Sequence, residues 1–152
     1  MSYATIEAAV KTLLEDGGVT GLSTANANVT QGNYRPLGKR NLVVVLQPGA
    51  IPEAGFAGND TKRVKWVVEI EVFIKYNLDI TSIASSIRSV RDGIITYLNK
   101  YPTLNGTAGV VLAEITNADK PEGAQSGSRT FWTQRLYLSA TEETTITGGE
   151  YA

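Results

Sequence analysis

Residues 64–76, VKWVVEIEVFIKY, carry the clearest periodic signal in the chain and decide its fold class. Val64, Trp66, Val68, Ile70, Val72, Ile74 and Tyr76 share one parity, and Lys65, Glu69, Glu71 and Lys75 share the other. Alternation at period two marks a half-buried strand, because successive side chains leave a pleated backbone on opposite faces. At about 3.3 Å per residue the stretch spans about 40 Å, longer than most strands and able to project past its own core. Val67 and Phe73 interrupt the polar parity.

Upstream, the run Leu42-Val43-Val44-Val45-Leu46 within 41–47 is short and rich in β-branched residues, which predicts a strand buried on both faces, and Pro48-Gly49 ends it. The segment 50–63, AIPEAGFAGNDTKR, carries Gly, Pro and Asn-Asp turn formers and predicts a long exposed loop between two paired strands. Nearer the start, Ile6, Ala9, Val10, Leu13 and Leu14 recur at helical spacing over 5–16 until Gly17-Gly18 stops the pattern. Residues 19–40 are rich in Gly, Asn, Ser and Thr without a sustained period, so a long irregular connection is expected there.

Downstream, Asp79 can cap a helix whose apolar stripe is Ile80, Ile83, Ile87, Val90, Ile94, Leu98 and Tyr101, with Arg88, Arg91 and Asp92 off the stripe and Pro102 limiting it. So many β-branched residues cost helix propensity, so this helix depends on docking across a sheet face. Strands over 109–117 and 129–139 follow, separated by the turn-rich ADKPEGAQSGS, as a hairpin with a long tip. The last residues, TEETTITGGEYA, are acidic with few large apolar groups and suit a flexible arm that orders on binding. The expectation is an α+β fold: an antiparallel or mixed four-stranded sheet with two helices packed on one face, long loops, a domain over 1–140 and a C-terminal arm over 141–152.

Composition narrows the chemistry. The 152 residues suit one domain, which at that size buries roughly 70% of its unfolded surface. Hydrophobic residues at 42% and charged residues at 19% argue for a folded chain. Fourteen basic against fifteen acidic residues give a net charge of −1, so nothing draws the whole chain to a phosphate backbone or an anionic membrane. With neither cysteine nor histidine, disulfides, thiolate metal sites, imidazole bases and the Ser-His-Asp and Cys-His nucleophile systems are excluded. No segment approaches 18 consecutive apolar residues, and the N-terminus lacks a basic region followed by an apolar run, so a protein kept in the cytosol is expected.

Each remaining chemical candidate has a plainer explanation. Glu69 and Glu71 project from one strand face, as an acid/base pair or metal site requires, but a solvated or intersubunit face flanked by Lys65 and Lys75 explains them better. The basic groups Arg35, Lys39 and Arg40 beside Tyr34, and Lys62, Arg63 and Lys65 before Trp66, are short runs that allow passing contact with DNA in a channel rather than specific recognition. Gly-rich fragments lack nucleotide-binding spacing. Trp66, Phe131, Trp132 and Tyr137 sit on predicted strands, where core packing accounts for them. What stands out is an ordinary core with long excursions, which in a chain without catalytic groups suits contact with neighbouring subunits.

The order of N-terminal helix, loop, strand NLVVVLQPG, long strand VKWVVEIEVFIKY, helix ITSIASSIRSVRDGIITYLNKY and closing hairpin ending in FWTQRLYLSA resembles the tail terminator (tail completion) proteins of long-tailed bacteriophages. That resemblance implies a non-enzymatic virion subunit without cofactor or metal, assembled in the host cytoplasm. It would form a hexameric ring on the last ring of tail-tube protein and offer the neck and head–tail connector proteins a joining surface. A ring needs a heterologous interface that closes. The expected subunit contacts are Phe56, Asn59, Asp60, Lys62, Arg63, Lys65, Glu69, Glu71 and Lys75, from the 48–63 loop and the long strand's polar edge. A head-closure protein or tail-tube subunit is the alternative within the virion, and a small-molecule binding module the alternative outside it.

Overall fold

A computed structural model describes residues 3–24, 28–31, 42–49, 52–56, 61–75, 80–126 and 129–145. Among the described residues two helices, α1 (Tyr3–Leu14) and α2 (Ile80–Leu98), accompany seven strands: β1 (Val29–Gln31), β2 (Leu42–Pro48), β3 (Glu53–Phe56), β4 (Thr61–Lys75), β5 (Val110–Ala118), β6 (Glu122–Ser126) and β7 (Arg129–Thr145). The fold is α+β with a mixed sheet. Its order is β1-β2-β4-β7-β5, with β3 beside β4 and β6 beside β7, and β1 runs parallel to β2 while the other pairings are antiparallel.

The long strand is the spine. All fifteen residues of β4 pair with β7, from Thr61↔Thr145 to Lys75↔Phe131. Its other edge is shared, with β2 against Val68–Ile74 and β3 against Lys62–Lys65. β7 is shared in the same way between β5 and β6. The expected parity holds: Val68, Ile70, Val72 and Ile74 join Val44, Leu46, Leu136, Leu138 and the helix residues Ile6, Val10, Leu13, Leu14, Ile87, Ile94 and Leu98 in one core. Both helices therefore lie on one sheet face. The interruption of the polar parity also has its reason, because Phe73 packs on the other face with Val43, Val45 and Phe131 in a second buried cluster. The Phe73 and Phe131 rings meet edge-on with centroids 5.4 Å apart, and β2 is buried on both faces from Val43 to Leu46.

Four expectations need correcting. The sheet has seven strands rather than four, because β1, β3 and β6 are held by backbone pairing and carry little apolar pattern of their own. Half of the 50–63 excursion is strand: β3 occupies Glu53–Phe56, and β4 begins at Thr61. The long hairpin tip over 118–128 contains a further strand, β6, with Ser126 opposite Arg129. The arm from Thr141 begins as sheet, since β7 continues to Thr145 with Glu142 buried among the paired strands. The rest of that arm, 146–152, lies outside the described residues, as do the capping position Asp79 and Tyr76.

Part of the 19–40 connection is also ordered by burial. Val19 and Leu22 enter the core, and the buried Asn28 donates from Nδ2 to the Gly21 carbonyl at 2.6 Å while its own carbonyl accepts from Val44 N–H. Gly17, at φ 99°, ends α1 in a left-handed conformation, as a helix-terminating glycine does. At Gly49 the backbone N–H donates to the Val67 carbonyl at 2.9 Å, and a Cβ there would lie 2.6 Å from Val67 Cγ1. Any side chain at position 49 would have to displace Val67.

The outer edge of β5 is closed by local donors and acceptors. Ala113 N–H donates to the Pro102 carbonyl at 2.6 Å, and Ile115 N–H donates to Asn99 Oδ1 at 3.1 Å. Register shifts beside Val110 and Ile115 bend the strand further, a common way to keep a sheet edge from pairing with another chain.

Candidate functional site

The sheet face opposite the helices has two unlike halves. At one end lies the dry cluster of Val43, Val45, Phe73 and Phe131. At the other, where β3, β4, β7 and β5 run side by side, the same face forms an open trough of about 600 Å3. Glu53 and Gly55 of β3, Arg63 and Lys65 of β4, Ser139 and Thr141 of β7, and Leu112, Glu114 and Thr116 of β5 line it, with Val111 at its rim. Strand alternation explains the membership, since Arg63 and Lys65 share the parity that faces away from the helices. Val111 and Leu112 are the exposed large hydrophobic residues among the described ones, at 46% and 44% exposure.

Charge is distributed unevenly here. Arg63 is held by Glu143, directly opposite it on β7, with Nη2 2.5 Å from Oε1. Lys65, Glu53 and Glu114 make no ion pair among the described residues. Between the two halves, Arg135 Nε donates to Glu71 Oε2 at 2.8 Å across the ladder, and the buried carboxylate holds the guanidinium above its ordinary range by that bond and its charge. Beside them Tyr137 donates to Asp119 Oδ2 at 2.7 Å, which raises the phenol's pKa through that hydrogen bond.

The nine expected contact residues are thus divided. Arg63 and Lys65 come together in the trough, and Glu69 and Glu71 occupy mid-face, where Arg135 rather than Lys65 or Lys75 neutralises Glu71. Lys75 sits ten residues along β4 from Lys65, roughly 33 Å away. Lys62 is exposed on the opposite parity, Phe56 is placed by its backbone opposite Lys62, and Asn59 and Asp60 lie outside the described residues. The apolar rim of Val111 and Leu112 was not flagged by the sequence, where two apolar residues in a strand read as core. Three of the four aromatics expected in the core pack there, Trp66 and Trp132 against the main core and Phe131 in the second cluster, whereas Tyr137 belongs to neither cluster and turns its hydroxyl to Asp119.

Among the described residues no group of three acidic side chains is placed to hold a metal ion, and no helix is long and apolar enough to cross a membrane. No protein-family model matches the chain, and no curated protein matches it. Among the solved structures similar to this chain is one whose name carries no functional description, alike over 93% of this chain and 96% of its own, at 18% identity and a TM-score of 0.48. That likeness is too slight to carry an argument.

Proposed function

We propose that this chain is a structural virion subunit of a long-tailed bacteriophage, a tail terminator that acts by assembly rather than catalysis. On this reading six copies form a ring at the neck, seated on the tail-tube protein, and offer the connector proteins a joining surface. The observation that carries the proposal is the unequal use of one ribbon. β4 and β7 bury their middle in a core, yet their far ends, with β3 and the start of β5, present Arg63, Lys65, Glu53, Glu114, Val111 and Leu112 on a platform larger than any core function requires. Ring contacts are assigned to the β3–β4 hairpin and its exposed Lys62, which lies off the trough.

Light scattering of the purified chain, with electron micrographs of the same sample, tests the reading. Closed six-membered rings in solution or on purified tube ends support it, and a chain that stays monomeric in both settings rejects it. Excising 50–61 is a poor probe, because it removes β3 and the first paired residue of β4. Lys62→Glu is the better one and should cut ring formation while leaving the thermal midpoint unchanged. A small-molecule binding module is the second reading, favoured by the trough's volume, which falls within the usual range of ligand sites.

A further inference from the structure

We propose that Asn105–Gly106 is a site of spontaneous deamidation that the folded turn holds shut, so that isoaspartate at position 105 records, and makes permanent, the opening of the turn that closes the β5 edge. Asn105 is the only asparagine in the sequence followed by glycine. That pairing matters chemically: the backbone nitrogen of the next residue attacks the side-chain amide carbon, and a following glycine puts no Cβ in its way. Asn105 is exposed, so water reaches the amide.

The backbone supplies the second observation. Leu104, Asn105 and Gly106 follow one another at φ 51°, 57° and 81°, and the first two are the non-glycine residues with positive φ among the described ones. The left-handed region confines ψ of such a residue to roughly +30 to +60°. There the Gly106 nitrogen lies on the far side of the Cα–C bond from the Asn105 Cβ, and closing a five-membered ring between them needs a large rotation about that bond. The fold resists the rotation. Leu104 is buried and its N–H donates to the Tyr101 carbonyl at 2.9 Å, Gly106 N–H donates to Thr103 Oγ1 at 3.2 Å, and Thr107 N–H donates to the Thr103 carbonyl at 3.0 Å. Reaction therefore waits for the turn to open locally.

Once it opens, the Gly106 nitrogen gives its proton to hydroxide and bonds to Asn105 Cγ. The Cγ–Nδ2 bond breaks, and ammonia leaves with a proton taken from water. A second water then opens the succinimide to aspartate or isoaspartate. In isoaspartate the main chain runs through Cβ and is one carbon longer, which the run of three left-handed residues does not fit. The loss is felt at the sheet's edge, because the Pro102 carbonyl of the same turn accepts from Ala113 N–H at 2.6 Å, and Val110 N–H donates to the Thr107 carbonyl at 3.2 Å. Without those bonds β5 offers an unpaired edge to another chain.

The test follows the chain at mildly alkaline pH, native and in urea, by peptide mapping and isoaspartyl methyltransferase labelling. In urea Asn105 should react ahead of every other asparagine. In the native chain it should react at least about tenfold more slowly, the mark of a reaction that waits on local opening. Thr103→Val removes the acceptor of the Gly106 N–H and should speed the native reaction by about threefold while leaving the rate in urea unchanged. Size-exclusion chromatography of aged protein should find the isoaspartyl chains in larger species than the unmodified chain forms. Equal rates in the native and unfolded chains overturn the gating, and another asparagine reacting first in urea overturns the site. Isoaspartyl and unmodified chains of the same size overturn the link to β5.

Discussion

Two stretches of the same strand face opposite demands. From Val68 to Ile74, β4 is almost wholly buried: Val68, Ile70 and Val72 point into the helix-side core, and Glu71 and Phe73 are covered on the other face. From Thr61 to Lys65 the same strand, paired with the same partner, leaves Lys62, Arg63 and Lys65 exposed and Val64 half-buried. Backbone pairing is continuous across both stretches, so pairing does not distinguish them. What differs is side-chain burial, and stability should follow burial while assembly follows the exposed end.

The sharpest break of that contrast is Ile70→Ala, fully buried in the main core and expected to cost about 4 kcal/mol in urea unfolding, set against Val64→Ala at about 1 kcal/mol. Equal costs would mean the far end is as much core as the middle. Phe73→Ala comes next, with a loss of about 3 kcal/mol through the second cluster and its contact with Phe131. A loss below about 1 kcal/mol would show that the opposite face adds little.

Arg135→Ala is smaller, about 1 to 2 kcal/mol, because it leaves the buried Glu71 carboxylate without its cross-strand donor, while half of the arginine already faces water. Glu71→Gln in the Arg135→Ala background should recover part of that loss. The smallest effect concerns the helix layer, where the Tyr97 hydroxyl donates to Asp16 and the phenol's pKa is raised, chiefly by that bond. A raised phenol pKa in the folded state gives a contribution that is complete below the unfolded value near 10 and declines as pH climbs above it. Tyr97→Phe should flatten the fall in unfolding free energy above that pH; an unchanged slope would detach Tyr97 from the alkaline behaviour.

How much of this was legible in advance follows from the same contrast. Where burial sets the pattern, the sequence is readable: α1, β2, β4, α2, β5 and the centre of β7 lie within a few residues of their expected bounds. β3, with EAGF, and β6, with EGAQS, are strands only because β4 and β7 offer them a free edge, so no apolar period announces them. The polar end of β7, TEETT, was read as an arm for the same reason. In the site, the polar parity of β4 located Lys65 and the basic run before Trp66 located Arg63, but only the register of four strands brings Glu53, Glu114 and Leu112 alongside them.

The β4–β7 ribbon also sets the order in which the molecule comes together. Thr61 pairs with Thr145, and α2, β5 and β6 all lie between the two strands in sequence. The central ladder of the protein is thus its most distant pairing, closed only after a long loop entropy has been overcome. Until β7 leaves the ribosome, β4 waits with one long edge unpaired. The chain should therefore fold on the slow, millisecond-to-second side of domains its size, with its largest hazard of clumping in the interval before the spine can form.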